Sequence, residues 1–284
     1  MRMIRLQSPR RAGWIALGAA LAVQMASVPL AGAASTAAPA PTAASPYFPL
    51  VPGSEYTYEG QSAVGKKLVP HKVVFTVTDL TKRIKGVDAT LGFDQDVLSG
   101  QLTEAELAFF AIAPNADVRA LGEYPEEYKN GKFVGAPSTW YVGHAGAKEG
   151  VLVPGAPKLG QPRFWQGLSR SIQFGDRGLV VDVAAHQCVP VGCYDGVVVV
   201  DEYNTFDKAG GHQRKYYAPQ VGLIRIAPVG GDAEALNLTT IRHLCGAELD
   251  AARRAALRLD RRGYTASTVH AQLPHAKKTA TAAC

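Results

Sequence analysis

The sequence predicts a mostly β protein, with one large antiparallel sheet that is strongly curved or partly closed and a single C-terminal α-helix. Three observations support this fold class. Apolar and polar residues alternate with a period of two over much of the chain, as at Tyr56 and Tyr58. The pair Asn130–Gly131 predicts a two-residue hairpin turn, because both residues tolerate a positive φ. One segment, Ala247–Arg262, changes to a helical period.

The strands are expected to follow one another along the chain as hairpins. Val73, Phe75 and Val77 share one face of a strand at 71–79, which a short turn at Asp79–Lys82 would join to a strand at 83–93. Roughly ten or more strands in one sheet predict curvature or closure, since so large a flat sheet is unusual. The other predicted strands span residues 55–59, 102–113, 118–121, 126–129, 132–134, 139–143, 163–174, 178–187, 194–206, 213–218, 222–227 and 236–244.

Two segments indicate how the layers are arranged. The run Val197–Val200 has no polar face, which predicts a central strand covered on both sides. The helix at 247–262 has acidic residues in its first turn, arginines toward its end and Gly263 as a candidate cap. Its apolar stripe is narrow and made of small residues, so we expect it to lie across the sheet.

The first 33 residues have the order of a cleaved signal peptide. Four arginines precede an apolar stretch from Trp14 to Leu30, and Ala31–Ala33 forms a small-x-small cleavage site. The stretch is too short and too interrupted for a permanent membrane anchor. We therefore predict an exported protein, periplasmic or extracellular, whose mature chain starts near Ala34.

Composition then divides the remaining chain. Residues 34–45 are Ala, Pro, Thr and Ser and are expected to form a flexible leader. A single β-rich domain is predicted at 46–264, followed by a flexible tail at 265–284. Removal of residues 1–33 leaves 26 basic and 24 acidic side chains, with no basic cluster. This small net charge argues against a nucleic-acid partner.

The four cysteines are the sharpest chemical feature of the sequence. Cys188 and Cys193 flank a predicted tight turn, and an exported protein can oxidise them to a disulfide. A metal site that also uses His186 is the rival interpretation, but no fourth ligand is evident and the disulfide is preferred. Cys245 and Cys284 are left either to pair with each other or to stay free.

No catalytic constellation emerges from the spacing of the other reactive residues, and no cofactor is predicted. Asp94 with Asp96, and Glu104 with Glu106, each share one face of a strand, for which a solvated sheet face is the expected explanation. Ser169 lacks the second glycine of a nucleophile elbow. His144, in a glycine-rich loop near Trp140, is expected to have a structural role.

Several stretches together resemble an uncharacterised family of exported, secreted or lipid-anchored bacterial β proteins. The stretches are Tyr47–Gly53, Leu121–Glu123, Tyr128–Lys132, Trp140 with Gly143, Lys215–Leu223 and the helix at Glu248–Gly263 that follows it. The stretch Lys215–Leu223 is the most specific. The resemblance covers most of the predicted domain and implies no activity. A more distant likeness, at the level of the fold, is to the outer-membrane lipoprotein carriers, whose curved sheet holds acyl chains.

Two functions follow as hypotheses. The first is a non-catalytic exported protein that binds an apolar or lipid-like molecule, with Trp140, Trp165, Phe174 and Tyr216 as candidate contacts. The second is a secreted hydrolase whose site is assembled only in three dimensions. A polar cleft that joins His144 or His186 to two carboxylates would favour the second.

Overall fold

The computed structural model describes residues 44–65, 67–207, 212–230 and 234–279. Within them, twelve antiparallel strands form a closed barrel, which pairing between the first strand, Ser54–Val64, and the second, Lys67–Ile84, completes. The predicted fold class is confirmed. The predicted signal peptide and nearly all of the predicted leader lie outside the described residues.

The strands are β1 Ser54–Val64, β2 Lys67–Ile84, β3 Val87–Leu98, β4 Gln101–Ile112, β5 Val118–Lys129, β6 Lys132–Gly135, β7 Trp140–Tyr141, β8 Lys148–Val153, β9 Phe164–Ser169, β10 Phe174–Val189, β11 Gly192–Asn204, β12 His212–Ala218, β13 Gly222–Val229, β14 Ala235–His243 and β15 Lys277–Lys278. Helix α1 spans Gly246–Ala266, and short 3₁₀ turns lie at Arg170–Ile172 and His270–Gln272. The barrel strands follow one another in the order β1-β14-β13-β12-β11-β10-β9-β8-β5-β4-β3-β2, and β2 pairs with β1.

Residues with positive φ angles mark the turns of two hairpins. Asn130 and Gly131 have φ of 52° and 72°, as the two-residue turn between β5 and β6 requires. The turn expected at Asp79–Lys82 is wrong, because β2 continues to Ile84. The chain reverses instead at Lys85 and Gly86, which both have positive φ.

The barrel interior is filled by one large apolar cluster. It joins side chains from strands on opposite sides of the barrel, among them Phe75, Phe110, Val198 and Tyr217. The run Val197–Val200 is buried in β11 between β10 and β12, as its lack of a polar face predicts.

A second apolar cluster lies on the outside of the barrel, under helix α1. It joins Leu259 and Ala256 of the helix to residues of β2–β5 such as Leu107. The helix runs four residues past the predicted end at Arg262, and Gly263 lies inside it. A Cβ on Gly263 would stand 2.5 Å from Cδ2 of His270, so this glycine permits close packing and does not cap the helix.

Residues that follow the helix also join the barrel wall. In the segment predicted as a tail, His270 is fully buried in the 3₁₀ turn, and β15 pairs with β2 through Lys277 and Lys278. The predicted disulfide between Cys188 and Cys193 is present at the tip of the β10–β11 hairpin. Cys245 is also disulfide-bonded, and Cys284 lies outside the described residues.

Candidate ligand site

A cleft of about 390 Å³ opens at the side of the barrel. Three segments form it: the loop around β7, the 3₁₀ turn Arg170–Ile172, and the end of α1 with the residues just after it. Its volume lies in the range that small-molecule sites occupy.

The lining of the cleft has mixed polarity and, among the described residues, contains no carboxylate, lysine or arginine. In the described part of the chain, the one lining residue with a titratable side chain is His144. Five lining residues carry hydroxyl groups: Thr139, Ser169, Ser171, Ser267 and Thr268. The apolar lining residues are Ala136, Pro137, Trp140, Ala145, Ile172, Ala266 and Val269. Such a lining suits a neutral molecule that has one apolar face and hydrogen-bonding groups.

Trp140 is held rigidly at the cleft wall. It pairs with Glu123 across β7 and β5, and its indole Nε1 donates a 2.8 Å hydrogen bond to the buried Glu123 carboxylate. Its ring lies 5.0 Å from the ring of Phe174, measured between centroids. Gly167 makes room for both rings, because a Cβ there would stand 2.7 Å from Phe174.

Hydrogen bonds also fix several of the hydroxyl groups. The Thr139 hydroxyl donates to the Ala136 carbonyl at 2.8 Å, and the hydroxyls of Ser169 and Ser171 lie 3.2 Å apart. The Ser267 hydroxyl accepts a bond from the backbone N–H of His270 at 3.3 Å. A ligand would therefore meet oxygen atoms whose positions are already set.

The structure brings together two of the four predicted contact residues. Trp140 lines the cleft and Phe174 packs behind it, whereas Trp165 and Tyr216 lie elsewhere. Trp165 is stacked 5.0 Å from the guanidinium of Arg177, and Tyr216 lies 5.4 Å from that of Arg225. The sequence does not predict the hydroxyl residues as a group, because they come from separate segments of the chain and have no characteristic spacing.

A small apolar pocket lies between the segment at Phe48 and the strands that carry Tyr58 and Phe75. Its volume is about 10 Å³. This is room for roughly one water molecule, so this pocket does not hold an acyl chain.

The carboxylates of β3 and β4 do not lie on a solvated sheet face, so that expectation is wrong. Asp94 and Asp96 are opposite Glu106 and Glu104 across the two strands, and three of the four, Asp94, Asp96 and Glu106, are buried. The reason is closure of the sheet, which turns this face into the barrel interior. Burial raises the pKa of Asp94 to about 7.

His71 joins two of the buried acids inside the barrel. Its Nε2 lies 2.7 Å from Asp96 Oδ2, and its Nδ1 lies 3.2 Å from Glu234 Oε1. Burial alone would lower the pKa of His71, but hydrogen bonds and charge from the two carboxylates outweigh it and raise the pKa to about 9. The imidazole is therefore a charged link between strands. With 2% of the residue exposed, it is closed to a substrate from solvent.

The two histidines named for a hydrolase are placed differently. His144 lines the cleft, where the described lining includes no carboxylate. His186 is exposed at the hairpin tip, with Nδ1 2.6 Å from Asp195 Oδ1. Neither arrangement is a polar cleft with two carboxylates.

Among the described residues, no helix is both long and apolar enough to cross a membrane. No family model and no curated protein matches the chain.

Two solved structures are similar at low identity. One, from Bacteroides fragilis, is described as a "putative exported protein with YmcC-like fold"; it is 12% identical, covers 70% of this chain and 99% of its own, and has a TM-score of 0.34. The other, a "putative lipoprotein" from Parabacteroides distasonis, is 13% identical, covers 71% of this chain and 100% of its own, and has a TM-score of 0.33.

Proposed function

We propose that this protein is an exported, non-catalytic binding protein that holds a small neutral molecule in the cleft beside Trp140. The observation that carries the proposal is the cleft of about 390 Å³, lined by hydroxyl groups and apolar side chains, with His144 its one titratable lining residue in the described chain. Trp140 and Ile172 would contact an apolar face of the ligand, and the serine and threonine hydroxyls would bind its polar groups.

This chemistry refines the expected apolar or lipid-like ligand. A fully apolar molecule would form no hydrogen bond with the cleft hydroxyl groups in place of water, and a charged molecule would meet no carboxylate, lysine or arginine in the described lining. An amphiphile with an uncharged polar head satisfies both parts of the lining. A lipid with an uncharged polar head is one such amphiphile.

Intrinsic fluorescence tests the proposal directly. The variant Trp165→Phe leaves Trp140 as the one tryptophan of a chain that starts at Ala34. We expect a saturable change in its emission with octyl glucoside below the micelle concentration, and weaker changes with glucose or decanoate alone. Native mass spectrometry of the protein from its exporting host should show a bound neutral small molecule.

A charge introduced in the cleft tests the site, and the same change elsewhere on the surface is the matched control. Ile172→Asp places a carboxylate in the apolar wall and should abolish the fluorescence response, whereas Val134→Asp changes a valine that is 58% exposed in β6 and should preserve it. An unchanged Trp140 signal with all three probes, together with no co-purifying molecule, would contradict the proposal. Turnover of an ester or glycoside that His144→Gln abolishes would favour the hydrolase instead.

A further inference from the structure

The tip of the β10–β11 hairpin concentrates sulfur and imidazole groups on one exposed surface. Cys188 and Cys193 are directly opposite each other and disulfide-bonded. The Nε2 atom of His186 lies 3.5 Å from Sγ of Cys188. The potential ligand atoms of these three side chains all lie within 4.8 Å of one another, and all three residues are exposed.

Asp195 orients the imidazole toward the sulfurs. Its Oδ1 lies 2.6 Å from Nδ1 of His186, on the far side of the ring from Cys188. A proton on Nδ1 shared with this carboxylate leaves the Nε2 lone pair directed at Sγ. A carboxylate that holds a histidine in this way is the usual outer partner of a metal-bound imidazole.

The hairpin tip is attached to the barrel rather than free. Arg225 of β13 donates a 3.0 Å hydrogen bond to Oε1 of Gln187, and the side chains of Val191 and Tyr194 pack against the main apolar cluster. The spacing of ligands at the tip is therefore set by the fold as well as by the turn.

We propose that the hairpin tip becomes a zinc site when its disulfide is reduced. A dithiol reductant supplies two electrons and two protons to the sulfur–sulfur bond, leaving two cysteine thiols and the oxidised cyclic disulfide of the reductant. Zn²⁺ then displaces the two thiol protons and binds Sγ of Cys188, Sγ of Cys193 and Nε2 of His186. Water takes the fourth position.

The geometry agrees with zinc in two respects. Four residues separate the cysteines, within the two to four that zinc sites use. Tetrahedral bonds of about 2.3 Å to sulfur and about 2.0 Å to nitrogen place the two ligand atoms roughly 3.5 Å apart. That is the separation of Nε2 from Sγ of Cys188. Zinc needs both sulfur atoms as thiolates, whereas the disulfide bonds them to each other, so the disulfide and the metal exclude each other. Zinc binding would therefore report the redox state of the surroundings.

Zinc competition against a chromophoric chelator tests this on the full mature protein. The oxidised protein should bind no zinc tightly, and the protein reduced with excess dithiothreitol, then freed of it by gel filtration without oxygen, should bind one equivalent. Cobalt(II) should give the thiolate charge-transfer absorption of a site with two cysteines. Asp195→Asn should weaken zinc binding by about 10- to 100-fold, as the loss of an outer carboxylate does.

The remaining cysteines require a control, because reduction also frees Cys245. The double variant Cys188→Ser/Cys193→Ser keeps Cys245 and Cys284 and, when reduced, should no longer bind one equivalent of zinc. The reduced variant Cys245→Ser should still bind it. His186→Ala should bind at least tenfold more weakly. Equal zinc binding by the reduced wild type and the double serine variant would overturn the proposal, as would tight zinc binding by the oxidised protein.

Discussion

His71 and Asp96 form a buried charged pair inside the barrel, with 2.7 Å between Nε2 and Oδ2 and each side chain 1% exposed. The pair links β2 to β3, and the second contact of His71 with Glu234 reaches the loop before β14. A charge held between two carboxylates makes the stability of this barrel depend on pH.

The stability should fall as the pH rises through the pKa of His71. The folded pKa of about 9 lies above the ordinary value of 6.5, so the stabilisation is complete below pH 6.5 and is lost as the pH passes 9. The difference corresponds to about 3 kcal/mol. Urea denaturation at pH 6.5 and 9.5 should show this loss in the wild type and a much smaller one in His71→Gln. An equal loss of stability between pH 6.5 and 9.5 in the two proteins would show that the pair is not charged.

A second buried pair fixes helix α1 to the barrel. Lys82 Nζ donates to Asp260 Oδ1 at 2.5 Å, and His270 Nε2 lies 3.0 Å from the same oxygen. Burial alone would raise the pKa of Asp260, but hydrogen bonds from His270 and Lys82 and the charge of Lys82 outweigh it and lower the pKa to about 2. Burial lowers the pKa of Lys82.

Asp260→Asn should destabilise the protein by about 3–5 kcal/mol, because it leaves the Lys82 charge buried without its partner. Thermal unfolding at pH 7 measures this. Lys82→Met combined with Asp260→Asn should cost less than the sum of the two single changes. Lys278→Met is the control, since Lys278 is 55% exposed and should contribute at most about 1 kcal/mol to stability. Strict additivity of the first two changes would argue against coupling.

The fold was predictable where local chemistry decides the structure. Asn130–Gly131 specifies its turn through the φ angles it allows, and the helix and the disulfide follow from period and spacing. Sequence alternation predicts the turn at Lys85–Gly86 too early, because Leu80 and Ile84 are buried with Ala256 and Leu259 of α1, more than 160 residues later in the sequence.

The candidate site was predictable only in part, because it depends on closure of the barrel. Trp140 and Phe174 are bulky aromatic residues that a sequence search selects, and they do meet. Ser169 and Ser267 are nearly a hundred residues apart and line the same cleft only because the end of α1 lies beside the 3₁₀ turn at Arg170–Ile172. The same closure turns Asp94 inward, which alternation along one strand does not reveal.

Export can be tested by the mass of the mature chain. The arginines before Trp14 and the Ala31–Ala33 motif predict cleavage after Ala33. The intact mass of protein recovered from the periplasm or medium should correspond to a start at Ala34 or within a few residues of it. Ala31→Asp combined with Ala33→Asp should block cleavage and retain the precursor. Recovery of the uncleaved wild type in the membrane fraction would refute the prediction.

Gly263 allows the end of the helix to pack on His270. A Cβ at this position would stand 2.5 Å from Cδ2 and 2.8 Å from Cγ of the buried imidazole, which is held by hydrogen-bond contacts of 2.6 Å to Tyr141 and 3.0 Å to Asp260. Because the ring is fixed on both sides, the methyl group of Gly263→Ala would have to displace α1.

Helix propensity and crowding at Gly263 act in opposite directions on the free energy of unfolding. Alanine in place of glycine inside a helix ordinarily gains up to about 1 kcal/mol, whereas overpacking costs about 1–3 kcal/mol, so we expect Gly263→Ala to be net destabilising. Ala251→Gly, on the exposed side of the same helix, should lose about 1 kcal/mol from propensity alone. A Gly263→Ala protein more stable than the wild type would mean that His270 can move, and the network with Lys82 and Asp260 would then be a weaker anchor for α1 than its distances indicate.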